Sequence, residues 1–179
     1  QWNHNPNDKM WSLNKERKGW LRLHSMPAKQ LLWAKNSLTQ RAIGPVSYTS
    51  VKLDVSRLKM GDEAGLGAMN TPYASLGVMK TEKGLSLRCY DQNTNKEVLK
   101  PIAKNKVVWL RLWGDYDKSL LQYSYSLDGK TWENIGEQML SPYQLKTFQG
   151  VRVALYAFNK TGVKGGVAYF DAFKVEEPM

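Results

Sequence analysis

Apolar and polar side chains alternate one by one through much of this chain. The pattern is plain in Trp20-Leu21-Arg22-Leu23, in residues 48–55 (Tyr-Thr-Ser-Val-Lys-Leu-Asp-Val) and in Leu85-Ser86-Leu87-Arg88-Cys89-Tyr90. A period of two sends successive side chains to opposite faces of an extended backbone, so these segments predict strands buried on one side only. Residues 107–113 and 120–126 alternate in the same way, and the polar Gly114-Asp115-Tyr116-Asp117-Lys118 between them predicts an antiparallel hairpin. Asp128-Gly129 predicts a tight turn, with a return strand beginning at Trp132. Two closing strands, 151–157 and 167–175, flank a polar, glycine-rich loop over 159–166. The one helical turn expected lies near Ser141-Pro142-Tyr143-Gln144. About a dozen short strands with no long segment of helical period predict an all-β protein, a β-sandwich or jelly roll of two antiparallel sheets. No linker, repeat or low-complexity tract divides the sequence, so residues 1–179 are expected to form one domain.

Seven Trp, nine Tyr and four Phe among short apolar runs suit strands with aromatic and β-branched side chains. The formal net charge of +10 raises nucleic acid, an acidic polysaccharide or an anionic membrane as partners. The basic residues, among them Lys15, Arg17, Lys52, Arg57, Lys80 and Lys104, are scattered and form no nucleic-acid motif. They read as a solvated surface, and neither nucleic acid nor membrane is expected as a partner. No segment approaches the roughly 20 consecutive apolar residues of a membrane helix, and the opening residues carry no signal-peptide pattern. The chain lacks an initiator Met and reads as a piece of a longer protein.

Candidate chemistry is sparse. Cys89, the single cysteine, lies among Leu85, Leu87 and Tyr90 and reads as a buried structural thiol. A glycosidase needs two carboxyl groups flanking the scissile bond. Asp62, Glu63, Asp115, Asp117, Asp128, Glu133 and Glu137 fall mostly at predicted turns, where acidic residues act as solvated turn formers. His4 and His24 have no partners at metal-ligand or triad spacing, and Gly65-Leu66-Gly67 is no phosphate fingerprint. No catalytic residue is therefore assigned. Aromatic rings at strand ends and turns can stack on sugars, which makes Trp33, Tyr73, Trp113, Tyr116 and Tyr143 candidate carbohydrate contacts; a core position is the competing reading for each.

The order Trp11-Ser12-Leu13, Gly19-Trp20-Leu21-Arg22-Leu23, Leu32-Trp33-Ala34-Lys35-Asn36 and Thr39-Gln40-Arg41 resembles the opening of the C-terminal concanavalin A-like domain of family 43 glycoside hydrolases, the β-xylosidases and α-L-arabinofuranosidases. Asp62-Glu63-Ala64-Gly65-Leu66-Gly67, the segment 123–132 with its Asp-Gly, and Ala168-Tyr169-Phe170-Asp171-Ala172-Phe173 extend the resemblance over nearly the whole chain. The resemblance implies a concanavalin A-like sandwich whose partner is a catalytic propeller of the same polypeptide, bearing the carboxylates that this chain lacks. It also implies that Phe148 occupies the place of an aromatic residue on a loop at the substrate pocket, although Gln149 stands where the family commonly has Thr. Many sandwiches of this kind hold a structural calcium, for which Asp171 is the one candidate ligand here; a paired or surface carboxylate is the competing reading. The expected function is that of a non-catalytic ancillary module of an enzyme acting on xylan- or arabinan-type glycans, packed on the propeller and shaping its pocket. The alternative is an independent carbohydrate-binding module that recognises a plant polysaccharide through exposed aromatics. Export from the cytoplasm is the expected localisation.

Overall fold

The computed structural model describes residues 1–143, 145 and 150–179. Fourteen strands are present among them: β1 (Trp11–Leu13), β2 (Leu21–His24), β3 (Met26–Pro27), β4 (Leu38–Arg41), β5 (Val46–Asp54), β6 (Asp62–Met69), β7 (Ala74–Thr81), β8 (Gly84–Asp91), β9 (Lys96–Pro101), β10 (Val107–Asp115), β11 (Leu120–Ser126), β12 (Glu133–Leu140), β13 (Arg152–Asn159) and β14 (Val167–Glu176). One sheet runs β1-β2-β14-β5-β10-β11-β12, and the other runs β3-β13-β6-β7-β8-β9 with β4 also on β13. The two sheets face each other as a sandwich, in keeping with the concanavalin A-like architecture. The expectation of purely antiparallel sheets needs one correction, because β3 pairs with β13 in parallel, Phe158 opposite Met26. β3 and β4 lie end to end along a single edge of β13, so one follows its direction and the other opposes it.

Alternation decides which side chains meet between the sheets. Leu53 and Val51 of β5, Leu110 and Leu112 of β10, and Phe170 of β14 face Leu66 of β6, Leu76 and Val78 of β7, Leu87 of β8 and Leu155 of β13 in one continuous core. Each such side chain contributes about 1.5–3 kcal/mol when removed from water. β6 breaks the alternation, since all eight of its residues are buried. The cause is a second, smaller core on the outer face of its sheet, where a segment around a 3-10 turn (Leu31–Trp33) crosses the strands. Leu31, Ala34, Met69, Tyr73, Ala154, Tyr156 and Phe158 pack there. Gly67 makes room for this segment, since a Cβ at that position would sit 2.6 Å from Leu31 Cδ2.

Two turns differ from expectation. The helical turn is at 31–33, where three residues cross the sheet; Ser141–Tyr143 are not helical, and Gln144 lies outside the described residues. The Asp128-Gly129 connection is wider than a two-residue hairpin, with Tyr125 opposite Glu133, so the return strand starts after Trp132. Asp128 Oδ1 closes the loop by accepting from the backbone N–H groups of Thr131 (2.7 Å) and Lys130 (2.8 Å) and from the Ser126 hydroxyl (2.9 Å). Among the described residues no helix is long and apolar enough to cross a membrane.

Candidate functional site

Three of the acidic candidates, Asp62, Glu63 and Asp115, are buried and committed to structure. Asp62 is fully buried: its Oδ2 accepts from the backbone N–H of Lys59 and of Gly166, both at 2.7 Å, and its Oδ1 accepts from Asn159 Nδ2 at 2.8 Å. The expectation that Asp62 is a solvated turn former is thus corrected; it ties the β5–β6 and β13–β14 connections to the end of β13. Glu63 is 1% exposed and points to the outer face. It accepts from Lys160 Nζ (2.9 Å), Arg88 Nη1 (3.2 Å) and the Tyr156 hydroxyl (3.0 Å). Asp115, also buried, accepts from the Lys118 N–H at 3.1 Å. Cys89 is buried as expected, and burial together with the nearby Asp91 pushes its thiol up to about 12. His4 Nε2 lies 3.1 Å from the Leu32 carbonyl, and burial lowers the pKa of His24. Asp171 sits where β14 carries one extra residue against β5, and no group of three or more His, Cys, Asp or Glu side chains converges among the described residues.

The five aromatic candidates do not form one surface. Trp33 is 64% exposed on the 3-10 turn, and Trp113 is half-buried on the outer face of the first sheet, opposite Tyr48. Tyr73 is only 5% exposed, which corrects its assignment as a solvent-facing ring: it belongs to the second core. Its hydroxyl stays protonated, because burial pushes the phenol up to about 12. Tyr116 and Tyr143 do come together, lining one depression of about 350 Å³ with Gly44, Asn70 and Ser141. Tyr143 is 65% exposed there, whereas Tyr116 packs against the main core. Phe148 lies outside the described residues.

Three surfaces were missed by sequence reasoning. On the outer face of the first sheet, Lys52 Nζ lies 5.4 Å from the ring centroids of both Trp20 and Trp109, and Arg111 lies over Trp132 (4.1 Å) and Tyr48 (5.2 Å). The ring faces are occupied by these cations, and Trp109 also by the Gly129 turn, so this ladder covers the sheet. An apolar cavity of about 500 Å³ opens between the sheets beside Trp2, Trp11, Leu13 and Phe173. The third is a polar pocket of about 180 Å³ on the outer face of the second sheet, where Lys29 and Gln30 overhang Glu63, Tyr73, Arg88 and Lys160. Alternation identifies which residues point outward, but not that residues 25 and 97 positions apart meet at one carboxylate.

The exposed apolar side chains add a further clue. Ile43, Leu140, Tyr143 and Leu145 are 40%, 58%, 65% and 75% exposed, and all belong to the end of the sandwich where β4, β6 and β12 finish and β5, β7 and β13 begin. Residues 1–176 match the model of the beta-xylosidase C-terminal concanavalin A-like domain. The chain belongs to that family. The domain is 29% identical to a beta-xylosidase of Formosa agariphila over 96% of its own length and 31% of the relative's. It superposes on a bifunctional GH43-CE protein of Bacteroides eggerthii with a TM-score of 0.92 and 36% identity, covering all of this chain and 24% of that one. A GH43 glycoside hydrolase engineered to display both endo-xylanase and exo-arabinofuranosidase activity matches with a TM-score of 0.89 and 25% identity, over 99% of this chain and 38% of the other. The xylosidase C-terminal domain thus spans well under half the length of these relatives.

Proposed function

We propose that this domain is a non-catalytic ancillary module of a family 43 enzyme acting on xylan- or arabinan-type glycans, which docks on the catalytic propeller and forms part of the wall of its substrate pocket. The observation that carries this reading is the gathering of Ile43, Leu140, Tyr143 and Leu145, all exposed, at one end of the sandwich. Large apolar side chains exposed together at one end mark a surface that another body covers. β12 finishes and β13 begins at this same end, and Phe148 falls between them in the sequence. The relatives are longer enzymes of which the sandwich is a fraction, in keeping with a catalytic body in the same polypeptide.

The test places Ile43→Asp and Leu145→Asp, singly and together, in the full-length enzyme and measures hydrolysis of an aryl β-xyloside and an aryl α-arabinofuranoside. The double variant should lower the thermal midpoint of the whole enzyme and reduce kcat/KM by tenfold or more on the better substrate, while the isolated sandwich melts unchanged. Full activity and an unchanged midpoint would overturn the reading.

A further inference from the structure

We propose that the polar pocket on the outer face of the second sheet binds the carboxylate-bearing ring of an acidic sugar, a uronate residue of a glycan. The pocket is roofed by Lys29 and Gln30 from the segment anchored through Leu31 over Gly67. Its floor is Arg88 and Glu63, with Tyr73 and Lys160 at the sides. At about 180 Å³ it holds the equivalent of about six waters, which suits a single ring rather than a length of chain.

The chemistry of the lining selects the charge of the ligand. Three cations, Lys29, Arg88 and Lys160, line the pocket against one carboxylate, Glu63, and Arg88 reaches outward through Nε to Glu97. The Glu63 oxygens already accept three hydrogen bonds, from Lys160, Arg88 and Tyr156, and so offer little to a sugar hydroxyl. Donors remain in excess. Lys160 spends one of its three N–H bonds on Glu63, and among the described residues Arg88 Nη2 meets no acceptor and Lys29 makes no ion pair. A ligand that fits must therefore bring acceptors and negative charge, which a uronate carboxylate does. The Tyr73 and Tyr90 rings, with centroids 5.6 Å apart, supply an apolar edge for the pyranose. Glu63 holds Arg88 and Lys160 in place before the ligand arrives, so little ordering is needed on binding.

The site is independent of the docking end and is tested on the isolated 179-residue domain. Methyl glucuronide, methyl xyloside, inorganic phosphate and a glucuronic-acid-substituted xylo-oligosaccharide are titrated while backbone amide resonances are followed. The expected result is saturable shifts at Gln30, Tyr73 and Tyr90 with the two uronates and none with the neutral sugar. Lys29→Gln, an exposed change outside the Glu63 network, should weaken uronate binding about tenfold, the scale of one charge-assisted hydrogen bond. Tyr90→Ala, which takes away half of the apolar edge, should weaken it with the fold intact. Equal response to neutral and acidic sugars, binding of phosphate as tight as that of the uronates, shifts confined to other surfaces, or unchanged affinity in both variants would each overturn the proposal.

Discussion

Gly77→Ala adds one methyl group where β7 passes beneath Tyr156. The added Cβ would sit 2.5 Å from the Tyr156 hydroxyl oxygen and 2.8 Å from the Ala64 carbonyl oxygen of β6, and no left-handed backbone conformation is involved. The unfolded chain loses freedom with Ala, which favours the variant by about 0.4–1 kcal/mol. Against this stand overpacking, about 1–3 kcal/mol, and displacement of the Tyr156 hydroxyl from the buried Glu63 carboxylate, about 1.5–3 kcal/mol for a bond to a charged acceptor. The net expected loss is about 2–4 kcal/mol, a drop in thermal midpoint on the order of 5–15 °C for a domain of this size. Urea unfolding of four proteins, the parent, Gly77→Ala, Tyr156→Phe and the double variant, closes a cycle. Removing the hydroxyl relieves the closest contact, so the double variant should lose at least about 1 kcal/mol less than the sum of the single losses. Additivity within about 0.5 kcal/mol, or a Gly77→Ala protein as stable as the parent, would refute the reasoning.

Asp62→Ala strands three donors in a fully buried place and should cost about 3 kcal/mol or more by chemical unfolding, with the 59–61 and 159–166 segments becoming the first sites of amide exchange. A variant within about 1 kcal/mol of the parent would show that water replaces the carboxylate there. Asp128 is held well below the usual carboxylate range by the N–H groups of Thr131 and Lys130 and by the Ser126 hydroxyl. A depressed folded pKa stabilises the protein fully above the unfolded value of about 3.9, and that stabilisation fades as pH falls through the folded value. Asp128→Asn should therefore be less stable than the parent at neutral pH, with the gap narrowing below about pH 4; a gap that stays constant with pH would contradict this origin.

Strands buried on one face were legible because their alternation records the burial directly, as in β5 and β10, whose register Leu53 to Val108 and Leu112 to Thr49 follows the pattern. β6 was recognisable only through its resemblance, since small residues buried on both faces leave no period to read. The 31–33 turn escaped notice because its stability comes from Gly67 and Tyr156, far along the chain, rather than from any local capping signal. β3 and β4 have only two and four residues, too few to show a period, and exist because one edge of β13 needs partners. Tyr73 was placed at the surface because it follows a turn, yet the segment crossing the outer face buries it. The Glu63 cluster depends on residues from three separate strands and loops, and side-chain types alone do not say which of many carboxylates a lysine will meet.

The position of β14 bears on how the domain comes into being. It is the last strand in the chain, yet it lies inside its sheet, bonded to β2 on one side and β5 on the other. As the polypeptide leaves the ribosome from its N-terminus, β2 and β5 each wait with an unpaired edge until residues 167–176 emerge. The sandwich is thus closed by the last of its own strands to be made, and a sandwich that stops short of it is left as two pieces of sheet with an open seam between them.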